Sequence, residues 1–392
     1  MSGGATGACQ THAMPIEERT GRRVAVVLEQ CWHRVPGGTA RAALDSVDAL
    51  LACTDLRLIG VAARHRDPPP DPWQPSIPVR QLPVDRRLLY ELWHGLRRPA
   101  VERATGPVDV IHATGLAVPP PSAPLVVTIN DLAFIHEPEH FTRHGLRFFH
   151  RSLALADRDA AVIVVPSDAT RRECVAYGLD DRRLVTVPYG IDADQVEARA
   201  AAQIMTGLGV IRPYVLWVGT IEPRKNLTSV VAVHRELRHQ GHEVDLVLVG
   251  PAGWHTDLDQ VLGSARQGVH TLGFLSQDAL RAAYRSAAVC LYPSLREGFG
   301  LPVLESLAQG TPVVTSSGTA TEEIVGFDGS VGAAVDPMDV DALTAEVARF
   351  LDSDVRAVAG RAARERADAF SWATTAQGLV DAYETAVSGK RR

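Results

Sequence analysis

Short, continuously apolar runs alternate with segments of helical period along most of the chain. In the first half the runs are Val24–Leu28, Leu58–Val61, Val108–His112, Leu125–Ile129 and Val162–Val165. The pattern restarts after residue 210 with Tyr214–Val218, Val244–Val249, Ala288–Tyr292 and Pro312–Thr315. Runs this short, with no alternating polar residue, predict strands buried on both faces, as in a parallel sheet. Segments between them, such as Leu227–Arg238 and Gln277–Ser286, carry apolar residues three and four apart and predict helices. Two successive series of this kind predict an α/β protein made of two doubly wound domains. The joint is expected near residues 188–210, after the turn-rich Pro188-Tyr189-Gly190-Ile191-Asp192. Ligands of such sheets bind beyond the carboxyl ends of the strands, so the cleft between the two domains is the expected active site.

Two stretches interrupt the pattern. Arg66–Pro78 holds six prolines and reads as an extended surface loop. Arg86–Arg103 combines Leu88, Leu89, Leu92, Trp93 and Leu96 with Arg86, Arg87, Arg97, Arg98 and Arg103. It predicts a basic amphipathic helix, open to two readings: a peripheral membrane contact, or a helix packed on its own domain with a solvated basic face. Residues 1–20 hold no apolar run and read as a disordered tail without a secretory signal.

At 392 residues the chain is long enough for two sizeable cores, and its net charge of −6 argues against a nucleic-acid partner. The five cysteines form no C-x-x-C pair, which points to a reducing, cytoplasmic compartment. No stretch is long and apolar enough to span a bilayer. Positive charge is supplied almost wholly by arginine: the only lysines are Lys225 and Lys390, and the only asparagines are Asn130 and Asn226.

That background sharpens the candidate chemistry. Ser294–Ser306 follows a strand, passes through the flexible Gly298-Phe299-Gly300, and enters a helix with Pro302 in its first turn. Such a loop offers backbone N–H groups to an anion such as a diphosphate, with Glu297 and Glu305 at two heights beside it. Carboxylates accept hydrogen bonds from sugar and ribose hydroxyls. Gly219-Thr220-Ile221-Glu222-Pro223-Arg224-Lys225-Asn226 follows the first strand of the second domain. An arginine-rich chain that places its only internal lysine there is using a compact ammonium, suited to a phosphate as a point charge. As a cleft loop residue, Lys225 is expected to contribute little to a core. In the first domain Pro36-Gly37-Gly38-Thr39 could let backbone approach a ligand closely, while His112 and Asn130-Asp131 end predicted strands.

These segments resemble the retaining glycosyltransferases of family 4. Glu297 and Glu305 form an E-x7-E pattern within E-G-F-G-L-P-V-L-E. Gly219–Asn226, Val187–Asp192, Pro36-Gly37-Gly38, Thr128–Phe134 and Phe370-Ser371-Trp372 also resemble that family, over residues 22–386. The resemblance implies the GT-B fold, with Rossmann-like domains at 21–190 and 191–370 facing a central cleft and a final helix, 371–389, returning to the first domain. It implies that Arg224 and Lys225 neutralise the diphosphate of a nucleotide sugar and that Glu305 holds the ribose. Glu297 and the backbone of Gly298, Phe299, Gly300 and Leu301 would hold the sugar. Phe274-Leu275 would lie near the base, and Gly37, Gly38 and Gly219 would allow close approach. The form G-T-I-E-P-R-K-N is most similar to bacterial mannosyltransferases of surface polysaccharide assembly.

One position departs from the family pattern: Asn130 stands where relatives commonly carry histidine, so Asn130, Asp131 and His112 are the first-domain candidates for the reacting centre. The resemblance implies a one-face mechanism in which the leaving diphosphate takes the acceptor proton. The expected enzyme is a retaining hexosyltransferase without metal or cofactor, since no H-E-x-x-H occurs and Arg224 and Lys225 would neutralise the diphosphate in place of a divalent ion. It would move mannose from GDP-mannose, or a sugar from a UDP or dTDP donor, to a glycan or lipid-linked acceptor at the inner membrane face. Acceptor choice is expected in Arg66–Pro83 and Glu137–Arg151. The alternatives are a catalytically silent sugar-nucleotide-binding protein and a GT-B hydrolase or epimerase.

Overall fold

The computed structural model describes residues 19–389 except 35, 252, 254, 255, 264 and 265. Residues 1–18 of the expected tail, and Lys390, lie outside the described residues. The chain divides into two compact units: one runs to Gly190 and resumes at Trp372, the other is Ile191–Ser371.

The first unit holds seven strands, β1 (Arg23–Val27), β2 (Arg57–Ala62), β3 (Val79–Gln81), β4 (Val110–Ala113), β5 (Leu125–Thr128), β6 (Val162–Val165) and β7 (Leu184–Thr186). They form one parallel sheet in the order β3-β2-β1-β4-β5-β6-β7. The second unit repeats the scheme with β8 (Tyr214–Val218), β9 (Asp245–Val249), β10 (Val269–Gly273), β11 (Val289–Tyr292), β12 (Val313–Ser316) and β13 (Gly332–Val335). Its order is β10-β9-β8-β11-β12-β13, again parallel. Each sheet therefore reverses its winding once, between β1 and β4 and between β8 and β11, and at such a switch point the loops diverge and leave a crevice.

Apolar continuity follows from this layering. Val24 and Val26 pack on one face of the first sheet with Leu379, Ala382 and Tyr383 of the helix Trp372–Ser388. Ala25 and Val27 pack on the other with Leu89, Trp93 and Leu153. Each such side chain, taken fully from water, contributes about 1.5–3 kcal/mol. The final helix is held to the first unit by that packing, by the Arg22–Glu384 pair and by the Thr375 hydroxyl donating to the Pro188 carbonyl.

Four strands escape the sequence pattern, β3, β7, β10 and β13, and these are the four sheet edges. Their residues are largely half-buried or exposed, so the continuous apolar signal of an inner strand is missing. The basic segment is also corrected. The helix covers only Arg86–Gly95, and Arg97 then takes a left-handed conformation with φ 53°. Its guanidinium turns inward to the carbonyls of Trp93, Val118 and Pro119 and to Asp159 at 2.6 Å. Arg97 is thus a structural tie, not part of a solvated face.

Candidate active site

The loops after β8 and β11 leave from neighbouring strands on either side of the second switch point, and they are stitched together. The Leu295 amide donates to the Arg224 carbonyl at 2.9 Å, the Ser294 hydroxyl to the same carbonyl at 3.1 Å, and the Arg224 guanidinium to the Arg296 carbonyl at 2.9 Å. Lys225 and Glu297, 72 residues apart, meet as a result, with Nζ 2.5 Å from Oε1. The Lys225 ammonium also donates to the Tyr292 hydroxyl at 2.6 Å. Tyr292 and Ser294 donate in turn to Glu297 Oε1 at 2.9 and 2.6 Å. Arg224 lies 3.1 Å from Glu297 Oε2 and 2.7 Å from Glu222.

Lys225 is only 8% exposed, which overturns the expectation of a lysine with little part in a core. Burial alone would raise the Glu297 carboxyl; Lys225 and then Arg224 outweigh it and hold it down at about 2. The Lys225 ammonium is itself depressed, by burial and by Arg224, against the pull of Glu297. The two partners thus respond unequally, and the carboxylate decides the state of the pair: three donors converge on Oε1, so Glu297 is ionised at neutral pH. Glu222, Arg224, Lys225 and Glu297 form a compensated cluster in which each cation already faces a carboxylate.

Asn226 explains its own rarity. It sits at φ 52°, ψ 43° ahead of the helix Leu227–His239, a left-handed position that asparagine tolerates better than most side chains. Its amide donates to the Pro337 carbonyl and its carbonyl oxygen accepts from Ser229. The composition signal at this residue reports backbone geometry, not phosphate chemistry.

Glu305 lies on the helix Leu301–Ala308, which begins behind Gly300 at φ 107°. There a Cβ would meet the Thr321 side chain at 2.5 Å, so glycine is required twice over. Glu305 accepts from the Tyr284 hydroxyl at 2.9 Å. Gly298 and Phe299 are buried in the loop, and Leu301 opens the helix. Gly219 donates its amide to the Val249 carbonyl and lies so close to Gly250 that a Cβ there would meet the Gly219 carbonyl oxygen at 1.9 Å. Phe274, 66% exposed, and half-buried Leu275 follow β10 at its carboxyl end. Tyr284 and Tyr292 were not legible as site residues, and Ser294 and Glu222 fell inside the candidate segments without a role of their own. The apolar context of a strand end hid the tyrosine of β11, and only the tertiary contact gives it a role.

In the first unit the candidates separate. His112 on β4 is buried: its Nδ1 lies 2.8 Å from the Tyr383 hydroxyl and its Nε2 2.9 Å from Thr128 Oγ1. Burial pushes the ring down to about 4. With both nitrogens occupied beneath the final helix, His112 is a packing residue, which corrects its candidacy for the reacting centre. Asn130 accepts from the Tyr189 hydroxyl at 2.5 Å, and Asp131 accepts from the Ala133 amide at 3.1 Å, starting the next helical turn. Gly37, at φ 63°, and Gly38 open the helix Gly37–Cys53, and among the described residues no atom beyond their chain neighbours and the helix's own backbone lies within 4 Å of a Cβ built at either. A further pair went unread in the sequence: buried Glu29, after β1, contacts His65 Nε2 at 3.0 Å, and His65 stacks on Trp32 at 4.7 Å. Among the described residues no group of three or more His, Cys, Asp or Glu side chains is arranged to hold a metal ion.

Two doubly wound units, with a carboxylate–cation cluster at the switch point of the second, define an α/β protein of the two-Rossmann-domain class, and comparison with known proteins makes it specific. Residues 212–353 match the family model for glycosyl transferases group 1, and residues 36–195 match that for glycosyltransferase family 4. The O-antigen chain mannosyltransferase B of Escherichia coli is 30% identical over 70% of this chain and 74% of that protein. An MMP alpha-(1->4)-mannosyltransferase of Mycolicibacterium hassiacum is 31% identical over 63% of this chain and 59% of its own length. Among solved structures, Anabaena HepE in complex with UDP and glucose aligns over 92% of this chain and 99% of its own, with a TM-score of 0.72 at 18% identity. WaaG, a glycosyltransferase involved in lipopolysaccharide biosynthesis, aligns over 91% of this chain and 98% of its own, with a TM-score of 0.69 at 18% identity. The fold is GT-B, and the chain belongs to glycosyltransferase family 4. It is a glycosyltransferase.

Proposed function

We propose that the enzyme is a retaining, metal-independent hexosyltransferase that moves mannose from GDP-mannose to a glycan or lipid-linked acceptor. The observation that carries this reading is the Lys225–Glu297–Arg224 cluster at the switch point of the second sheet. Two cations within reach of one carboxylate suit a donor whose sugar hydroxyls are held by Glu297 while its diphosphate draws on Lys225 and Arg224. Charge that develops on the leaving diphosphate then meets fixed ammonium and guanidinium groups in a site largely shielded from water. Such charge compensation lets the step run without a divalent ion. The acceptor proton passes to the leaving phosphate oxygen on the same face, so Asn130 needs only to position a hydroxyl. Glu305, oriented by Tyr284, would hold the ribose.

The mannosyltransferase relatives favour mannose over other hexoses. The reading places the protein in the cytoplasm, at the inner membrane face, where Arg87, Leu88, Leu96 and Arg98 are exposed for peripheral contact. The reduced state of the buried Cys31, Cys174 and Cys290 agrees with a reducing compartment.

A thermal-shift screen against GDP, UDP, dTDP and ADP tests the donor, because a ligand bound only by the native state at about 100 times its Kd adds roughly 2.7 kcal/mol. GDP is expected to raise Tm most. Proton NMR of the product made with GDP-mannose and excess EDTA then tests mechanism: an α-linked product and undiminished rate are expected. Failure of every nucleotide to shift Tm would overturn the donor reading. Binding without turnover would favour a silent binding protein, the reading to which Asn130 gives some weight.

A further inference from the structure

The helices Arg86–Gly95 and Arg143–Asp159 of the first unit border an open surface pocket of about 160 Å³ lined by Glu91, His94, His144, Arg147, Phe148 and Arg151. That is several times the ~30 Å³ share of one liquid water, room for a phosphoryl group and the atoms attached to it. We propose that this pocket is the acceptor subsite for a phosphoryl anion carrying an apolar substituent. The word acceptor rests on the transferase reading above; the chemistry of the pocket does not.

The placement of charge is the first argument. His144, Arg147, Phe148 and Arg151 fall three and four apart, so they share one face of their helix. Arg147 and Arg151 are like charges one turn apart, an arrangement that destabilises a helix by a few tenths of a kcal/mol. The helices Asp168–Tyr177, Gln277–Ser286, Val340–Leu351 and Ser353–Ala367 carry an acid in the first turn. The two pocket helices carry none there, as is also true of Gly37–Cys53, Ala198–Gly207, Leu227–His239, Leu301–Ala308 and Trp372–Ser388, but these two begin with basic residues, Arg86-Arg87 behind an Asp85 cap and Arg143. Among the described residues no carboxylate lies within ion-pair distance of Arg147 or His144, and Arg151 has only a long 3.9 Å approach to Glu91. His144, Arg147 and Arg151 are exposed, so water solvates them in the free protein, and a bound anion would take the place of that water.

Position and flanking surface supply the rest. Both helices start on the carboxyl side of the sheet, following β3 and β5, the side on which ligands of open sheets bind. Tyr90, beside Phe148 at 4.9 Å, also lies 3.5 Å from His33 in the loop after β1, tying the pocket wall to that side. Leu88, 48% exposed, lies one turn before Glu91 on the same helix face, and Leu96, 70% exposed, follows the helix end. A cationic pocket edged by bare leucines fits an amphiphilic phosphate better than a neutral glycan.

Isothermal titration of the full chain with farnesyl diphosphate, inorganic phosphate, and vesicles of phosphatidylcholine with or without 30% phosphatidylglycerol tests the proposal. Farnesyl diphosphate is expected to bind with phosphate as a weak competitor, and R147A/R151A is expected to lose at least tenfold in affinity. R147K should retain most of it. Nucleoside diphosphate binding and Tm should match the wild type in both variants, which separates failure of this subsite from failure of the donor reading. Unchanged farnesyl diphosphate affinity in R147A/R151A would overturn the proposal. So would binding to anionic vesicles with no response to either soluble phosphate, which would mark the patch as a membrane surface instead.

Discussion

Replacing Lys225 by methionine removes the ammonium while keeping the length of the side chain. Glu297 Oε1 then loses its 2.5 Å partner and the Tyr292 hydroxyl loses its donor. Breaking one side of a buried pair typically costs about 3–5 kcal/mol. Arg224, Ser294 and Tyr292 still serve the carboxylate, so the low end, about 3 kcal/mol, is expected. In a unit of this size that lowers Tm by roughly 6–12 °C. The loss should depend on pH in a fixed sense. The Glu297 carboxyl lies near 2 in the native state against an ordinary 4.5. A depressed carboxyl contributes stability that is complete above the unfolded value and disappears as pH falls through the native one. Its worth in the wild type is about 3 kcal/mol at neutral pH, of which about 1 kcal/mol is gone by pH 4. In Lys225→Met the native value rises, so the gap between the two proteins should narrow as pH falls from 7 to 4. Urea unfolding at several pH values measures this, with Lys225→Met/Glu297→Gln as the control, expected to be less destabilised than the sum of the single changes. A gap under about 0.5 kcal/mol at pH 7, or one independent of pH, would refute the buried pair.

Lys225→Arg keeps the charge but brings a planar fork into a space bounded by Tyr292, Ser294 and Glu297; turnover should fall about tenfold, or about 1.4 kcal/mol, by steady-state kinetics. Glu305→Ala should weaken nucleoside diphosphate binding by roughly 1.5–3 kcal/mol, while Glu297→Ala spares it and impairs use of the sugar nucleotide; calorimetric titration separates the two, and equal losses would remove the division of roles. His112→Gln should leave KM for the donor unchanged. The native ring lies near 4, below its ordinary 6.5, so wild-type stability falls as pH drops through that window, and the substitution should flatten part of that slope in denaturant titrations.

The inner strands, the two-domain winding and the loops after β8 and β11 were determined by the sequence itself. A strand buried on both faces must be apolar throughout, as Tyr214–Val218 is, and local composition therefore announces it. The edge strands β3, β7, β10 and β13 need only one buried neighbour, so nothing in their residues distinguishes them from loop. The motif glutamates were legible because a glycine-flexed loop ahead of a proline-started helix has a short-range signature. What the lysine meets was not legible: 72 residues separate it from Glu297, and only the pairing of β8 with β11 brings them to 2.5 Å. The same holds for Tyr292, which reads as core until its hydroxyl is seen between the two charges. His112 and Arg97 show the converse, since a polar residue at a strand end or in a basic run looks available for chemistry. Whether it faces a ligand or a hydrogen-bond partner inside the protein depends on what packs above it: the helix Trp372–Ser388 over His112, and a set of backbone carbonyls around Arg97.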